Sequence, residues 1–152
     1  MMYRGMHKSL GDDFIYIDVR TQEKHDYGEY KNAIPEIKPM ILASMAHLPF
    51  RDKCFDVIVC DPPHLDAPLG AFMAQKYGTW NYEEMSRTIK VANVEFARVL
   101  RDGGVLVLKI LFRQYRAYAD RLSNFIFFLP IEFPSKSHLS SERTAFFIGV
   151  KR

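Results

Sequence analysis

One run, Phe55-Asp56-Val57-Ile58-Val59-Cys60-Asp61-Pro62-Pro63-His64-Leu65, limits what this chain can fold into more than any other stretch. Val57 to Cys60 is apolar and mostly β-branched without alternation, the pattern of a central parallel strand covered on both faces. It stops abruptly at an acid, two prolines and an imidazole. Proline cannot continue a strand ladder. Each one fixes its own φ and biases its predecessor toward extended backbone, so Asp61 and the Pro62 carbonyl point in a set direction. Open α/β sheets bind ligands beyond the carboxyl ends of their strands. Asp61, Pro62, Pro63 and His64 are therefore the first candidates for an active site.

The flanking sequence supplies more strands. Residues 14–20 read as an aromatic and β-branched strand with Asp18 at its carboxyl edge. Residues 21–38 are polar and carry no helical stripe, which reads as a loop with room for a short helix. Residues 39–43 form a short strand, and Ser44-Met45-Ala46-His47-Leu48-Pro49-Phe50 turns toward the charged residues 51–53. Residues 66–81 make a long connection of the kind that serves as a lid or binding loop, with a short helix over 71–76. Met85, Ile89, Ala92, Phe96 and Val99 recur at helical spacing and define an amphipathic helix over 82–100. Asp102-Gly103-Gly104 is expected to end it, because glycine accepts the left-handed cap conformation.

Residues 105–111 then form a strand whose one polar member is Lys109. A lysine buried there without a partner would be costly, so Lys109 is expected near the cleft at the strand's carboxyl end. Residues 112–122 form a helix; residues 124–133 and 143–151 form two strands joined by the polar loop 134–142. With no helix between them, those two strands pair antiparallel. Strands alternating with crossovers imply a three-layer α/β fold with a mostly parallel sheet, in a single domain spanning residues 1–152.

Composition narrows the class of protein. Hydrophobic residues at 48% and charged residues at 26% exclude wholesale disorder. The formal charge of +3 permits a nucleic-acid partner without requiring one. Cys54 and Cys60 lack the spacing of a metal site and read as buried thiols in a reducing compartment. No apolar run is long enough to cross a bilayer and the first residues lack a signal-peptide core, so a cytoplasmic protein without a membrane partner is expected.

The passage from Ser44 to Phe50 followed by Phe55 to Asp61 resembles class I S-adenosylmethionine-dependent methyltransferases. Phe96 to Leu106, with its helix end, Gly103-Gly104 turn and following strand, is similar to the same family. Asp61-Pro62-Pro63-His64 matches the Asp/Asn-Pro-Pro-aromatic signature of amino-methylating members, with His64 in the aromatic place. Together with Lys76-Tyr77-Gly78 it looks like small phage and prophage methyltransferase-like proteins. The resemblance implies a Rossmann-like sheet with an antiparallel carboxyl-terminal strand. It also implies S-adenosylmethionine as cofactor and an amino group of DNA or RNA, adenine N6 or cytosine N4, as acceptor. One departure stands out: the family's Gly-x-Gly-x-Gly loop is absent. Residues 14–20 are then either a first strand with a degenerate loop or a second strand whose usual predecessor is missing. The second option predicts self-association to cover the exposed surface.

On this resemblance Asp61 and the Pro62 carbonyl orient the amine, Pro63 keeps the turn rigid, and His64 stacks on the base. Asp18 holds the ribose hydroxyls, Ser44 and Met45 flank the adenine, and Asp61 borders the cofactor as well. Tyr77, Trp80 and Lys109 are the substrate-side candidates. Several have a plainer alternative: Asp18 and Asp61 as turn-capping acids, Met45 as core, Tyr77 and Trp80 as loop anchors. Arg113, Arg116 and Arg121 are either a phosphate-facing row or a solvated helix face.

Overall fold

The computed structural model describes residues 14–65, 71–128, 130–132 and 144–152. The chain divides into two compact units, Met1–Ser44 with Pro62–Met85 and Met45–Asp61 with Ser86–Arg152. Among the described residues the first elements are β1 (Ile17–Asp18), β2 (His25–Tyr27), β3 (Tyr30–Ile34), β4 (Ile41–Leu42), β5 (Phe55–Cys60) and β6 (His64–Leu65). After them come α1 (Phe72–Tyr77), β7 (Thr79–Trp80), α2 (Tyr82–Val99) and β8 (Leu100–Leu111). A 3-10 turn (Phe112–Gln114), α3 (Tyr115–Ala119), β9 (Phe125–Phe127), β10 (Ile131–Glu132) and β11 (Thr144–Lys151) complete the order. The fold is mixed α/β.

The second unit holds the larger sheet, in the order β10-β11-β8-β5, with β9 also pairing with β11. β5 and β8 run parallel. β11 runs antiparallel to β8, β9 and β10, as the helix-free connection implied. Because every pair that β11 makes is antiparallel, this sheet is mixed and not mostly parallel. Nor is β5 a central strand covered on both faces. Among the described residues it stands at the end of the strand order with β8 as its partner, and Val57 is 52% exposed. Asp56 and Val57 are exposed, and burial is reached only at Cys60. Cys54, just ahead of the strand, is exposed, which corrects the reading of both thiols as buried.

The helical stripe is confirmed. Met85, Ile89, Ala92, Phe96 and Val99 are all buried, and Leu106, Leu108 and Ile110 alternate with half-buried residues along β8. Glu84 N–H donates to Asn81 Oδ1 and Asn81 N–H donates to Glu84 Oε2, a reciprocal cap on the start of α2. The other end differs from the expectation. Lys53 and Cys54 N–H donate to the Arg98 and Val99 carbonyls at 2.9 and 2.8 Å, so the segment before β5 closes α2. Asp102-Gly103-Gly104 lies inside β8 instead. Gly103 has φ 71°, and a Cβ on Gly104 would meet the Arg101 carbonyl oxygen at 2.8 Å. The glycines thus serve a kinked strand entry. Residues 124–133 divide into β9 and β10 around Pro130, which has no N–H for a ladder. The expected loop over 134–142 lies outside the described residues.

In the first unit β1 pairs parallel with β4, and β6 pairs parallel with β7. The strands expected over 14–20 and 39–43 shorten to these two-residue pieces. Residues 21–38 are not a loop but a hairpin of β2 and β3, with a bridge between Gln22 and Ile37. Tyr27 faces Tyr30 across two turn residues. Gly28 takes the first of these with φ 56°, the geometry that suits a tight hairpin and disfavours other residues. The reading as a loop with room for a short helix is corrected: the polar residues pair as strands around the Gly28 turn.

Candidate active site

Register brings the first two site residues together. Cys60 on β5 stands beside Leu108 on parallel β8, so the next residue of each strand, Asp61 and Lys109, comes abreast of the other. Lys109 Nζ donates to Asp61 Oδ2 at 2.5 Å. The two side chains are 24% and 13% exposed, dry enough that the charges need one another and open enough for a ligand to reach them. Asp61 therefore lies at the strand end as expected, but as half of an ion pair. Lys109 is at the carboxyl end of its strand, also as expected, and its partner is the motif's own acid.

Two buried groups lie behind this pair. Burial pushes the Cys60 thiol up to about 11, which keeps it protonated and unreactive. Tyr118 on α3 is fully buried, and its hydroxyl has no hydrogen-bond partner among the described residues. Burial first, then the nearby Cys60 and Asp61, push its ionisation well above the ordinary phenol range. It remains a donor. Nothing in residues 112–122 beyond the spacing of their arginines marks Tyr118 as a buried group. Of those, Arg121 is tied to Ser86 Oγ and the Ala117 carbonyl, which fits a structural role.

The rest of the motif belongs to the first unit. Pro62 is buried and Pro63 half-buried; of His64 only the backbone is described, paired with Thr79. The neighbour of Pro63 is Gly78, at φ 78°: a Cβ there would lie 3.6 Å from Pro63 and 3.5 Å from Arg20 Nη1. Gly78, the last residue of Lys76-Tyr77-Gly78, thus lies against Pro63 within the first unit. Tyr77 is half-buried with the Lys76 ammonium 5.2 Å from its ring centre, and Trp80 is half-buried opposite Leu65.

Asp18 does end β1, but its carboxylate is turned inward, with the side chain 1% exposed. Oδ1 accepts the Arg20 backbone N–H at 3.0 Å and Arg20 Nε at 3.4 Å, and Oδ2 accepts the Tyr16 hydroxyl at 3.4 Å. Burial, then the Asp18 charge, push the Tyr16 phenol up to about 12. This is the turn-capping role, and as built it offers no oxygen to a ribose. Ser44, in the first unit, and Met45, in the second, are both half-buried.

The segment after Met45 is held by residues that sequence reading passed over. Arg98 donates to the Leu48 and Phe50 carbonyls at 2.9 and 2.7 Å and to Asp52 at 2.9 Å. Glu95 accepts the Leu48 N–H at 2.7 Å and pairs with Arg98. The available signal was Glu95 and Arg98 at i, i+3, which puts them on one helix face.

No family model matches the chain, and no curated protein matches it. Among solved structures it is similar to the YcgJ protein of Bacillus subtilis at 14% identity and a TM-score of 0.40, over 72% of this chain and 69% of that one. That likeness is too slight to bear on function. No described helix is long and apolar enough to cross a membrane, and the described residues contain no cluster of metal-ligating side chains.

Proposed function

We propose that the chain is a class I, Rossmann-like N-methyltransferase that uses S-adenosylmethionine and acts on an exocyclic amine of nucleic acid, adenine N6 or cytosine N4. The observation that carries this is Asp61: a strand-end carboxylate, followed by two prolines, held in place by Lys109. The antiparallel β11 between β8 and the outer strands agrees with the fold that the resemblance implies.

An exocyclic amine is a poor nucleophile because its lone pair is conjugated with the ring, so catalysis is mainly positioning. With one N–H donated to Asp61 and the other to the Pro62 carbonyl, the nitrogen pyramidalises and its lone pair is freed. S-adenosylmethionine supplies an electrophilic methyl on a sulfonium. Transfer of that methyl to the freed lone pair would release the neutral thioether, and the amine's surplus proton would leave to solvent. Ser44, Met45 and Asp61 are the residues left to contact the cofactor; Asp18, as built, turns its carboxylate inward. A duplex target must first be flipped out, or the substrate must be single-stranded.

The test is calorimetry with S-adenosylmethionine and S-adenosylhomocysteine at millimolar concentration, with labelled methyl transfer to single-stranded DNA and RNA. Asp61→Ala is expected to abolish transfer while folding is kept. No binding of either compound would overturn the proposal. A second reading is favoured by the inward-turned Asp18 and the missing glycine loop: a binding or assembly module that keeps the fold without catalysis. It predicts that Asp61→Ala leaves biological function intact.

A further inference from the structure

The larger sheet of the second unit has two unlike faces. Leu106 and Leu108 on β8 and Phe147 on β11 are buried, and the residues that alternate with them are only half-buried. Register lines up that second set across four strands. Val57 on β5 stands beside Val105, Val105 beside Val150, and Val150 beside Ile126 on β9. Side chains of directly paired residues share a face, so these four form one row. Two residues along, Val59 stands beside Val107 and Val107 beside Ile148. The Phe128 N–H donates to the Ile148 carbonyl and brings Phe128 to the end of this second row. Both rows are apolar throughout, and all but Phe128 is β-branched. Their interiors are half-buried and their ends open, with Val57 52%, Ile126 53% and Phe128 57% exposed.

We propose that these two rows are the contact between two copies of the chain, packed sheet on sheet about a two-fold axis. The proposal does not rest on the methyltransferase reading. A parallel pair such as β5–β8 occurs almost only in sheets covered on both faces, so the open rows call for a cover. Their exposed fractions amount to about 500 Å² of apolar surface, near the top of what a monomer carries. A stable homodimer buries about 800 Å² per partner, about 65% of it apolar, which is the same area. A two-fold contact joins one patch to itself, and a pleated face of β-branched side chains packs on its own copy as the inner faces of a β-sandwich do. Nucleic acid does not fit the rows, because they hold no cation for a phosphate. A lipid surface is met by an apolar face bordered with cations. Here Asp56, next to Val57, pairs with the exposed Arg101, so this border carries both signs and suits a rotated copy.

Sedimentation velocity and light scattering on the full chain, from micromolar to near-millimolar concentration, test this. The unmodified protein is expected to reach twice the single-chain mass and stop there, because a two-fold contact closes on itself. Sodium chloride at about 1 M is expected to leave the dimer intact, since salt screens charges and does not weaken apolar burial. Val57→Lys and Ile126→Lys alter opposite ends of one row at positions more than half exposed, so the folded circular dichroism spectrum is expected to persist. Each is expected to raise the dimer Kd about 100-fold or more, by bringing an unpaired charge into an apolar contact. Leu42→Lys, at an exposed position of the first unit, is expected to leave the dimer unchanged. A single-chain mass at every concentration, growth beyond two copies, a dimer that salt dissolves, or a dimer that both folded lysine variants keep would each overturn the proposal. So would flotation of the protein with vesicles of phosphatidylcholine and phosphatidylglycerol that is lost in those two variants, which would assign the rows to a lipid surface. The mass and salt response of the unmodified protein need no variant, so misfolding of a lysine variant leaves the proposal open to refutation.

Discussion

Replacing Lys109 by methionine keeps most of the side chain's bulk and removes its charge, which isolates what the ion pair contributes to stability. An exposed pair would contribute about 0–1 kcal/mol, and removing one partner of a fully buried pair costs about 3–5 kcal/mol. With Asp61 only 13% exposed and Lys109 24% exposed, this pair lies between those limits. A loss of about 2 kcal/mol follows, because the stranded carboxylate can recover only part of its hydration. For a chain of this size that lowers Tm by about 4–8 °C. Thermal and urea unfolding followed by circular dichroism measure it. Asp61→Asn together with Lys109→Met should recover part of the loss, giving a coupling energy above about 1 kcal/mol in the double-mutant cycle. Additive losses, with a coupling below about 0.5 kcal/mol, would show that the two charges are independently solvated and would refute the pairing as an organising contact.

Gly104→Ala should destabilise the second unit, since the new Cβ would press on the Arg101 carbonyl at 2.8 Å and on Leu100 at 3.1 Å. Overpacking of about 1–3 kcal/mol, less about 0.5–1 kcal/mol from losing a flexible glycine, leaves a net loss of about 1–2 kcal/mol; unchanged unfolding would contradict the close approach. The Arg98 hydrogen bond first, aided by the Leu48 N–H against the cost of burial, lowers the Glu95 carboxyl from 4.5 to about 2. A depressed folded-state value means that this contribution is present above about pH 4.5 and fades as pH falls toward about 2. Glu95→Gln should therefore flatten the acid limb of the stability profile in that window, and an identical acid limb in both proteins would count against the clamp.

How much of this was legible depended on whether the cause was local. The stripe from Met85 to Val99 needed only periodicity, and all of those side chains are buried. Lys109 was placed correctly at its strand end because an unpaired lysine in an apolar run demands a partner. The identity of that partner required the β5–β8 register, which no single stretch of chain contains. The same holds for the end of α2: Gly103-Gly104 is a sound local stop signal, but the N–H groups of Lys53 and Cys54 reach the last carbonyls first. The unalternating apolar run Val57 to Cys60 also implied two covered faces for β5, whereas coverage is decided by what packs on each face, and Val57 is exposed.

The acceptor and donor halves of the proposed reaction stand on unequal footing, for a physical reason. A carboxylate that binds a ligand must keep an oxygen turned toward it, and the two strand-end acids differ on this point. Asp61 shares one oxygen with Lys109 and keeps the other. Asp18 gives both of its oxygens to the protein and is 1% exposed. Position at a strand's carboxyl end was the same signal for both, so position cannot separate a ligand-binding acid from a capping one. What separates them is the residue two places on: Arg20 supplies the backbone N–H and guanidinium that draw Asp18 inward, whereas Pro63 has neither and leaves Asp61 to Lys109. The prolines thus do more than stop the strand. By withholding the N–H that would close a capping turn, they keep the Asp61 carboxylate available to a substrate amine.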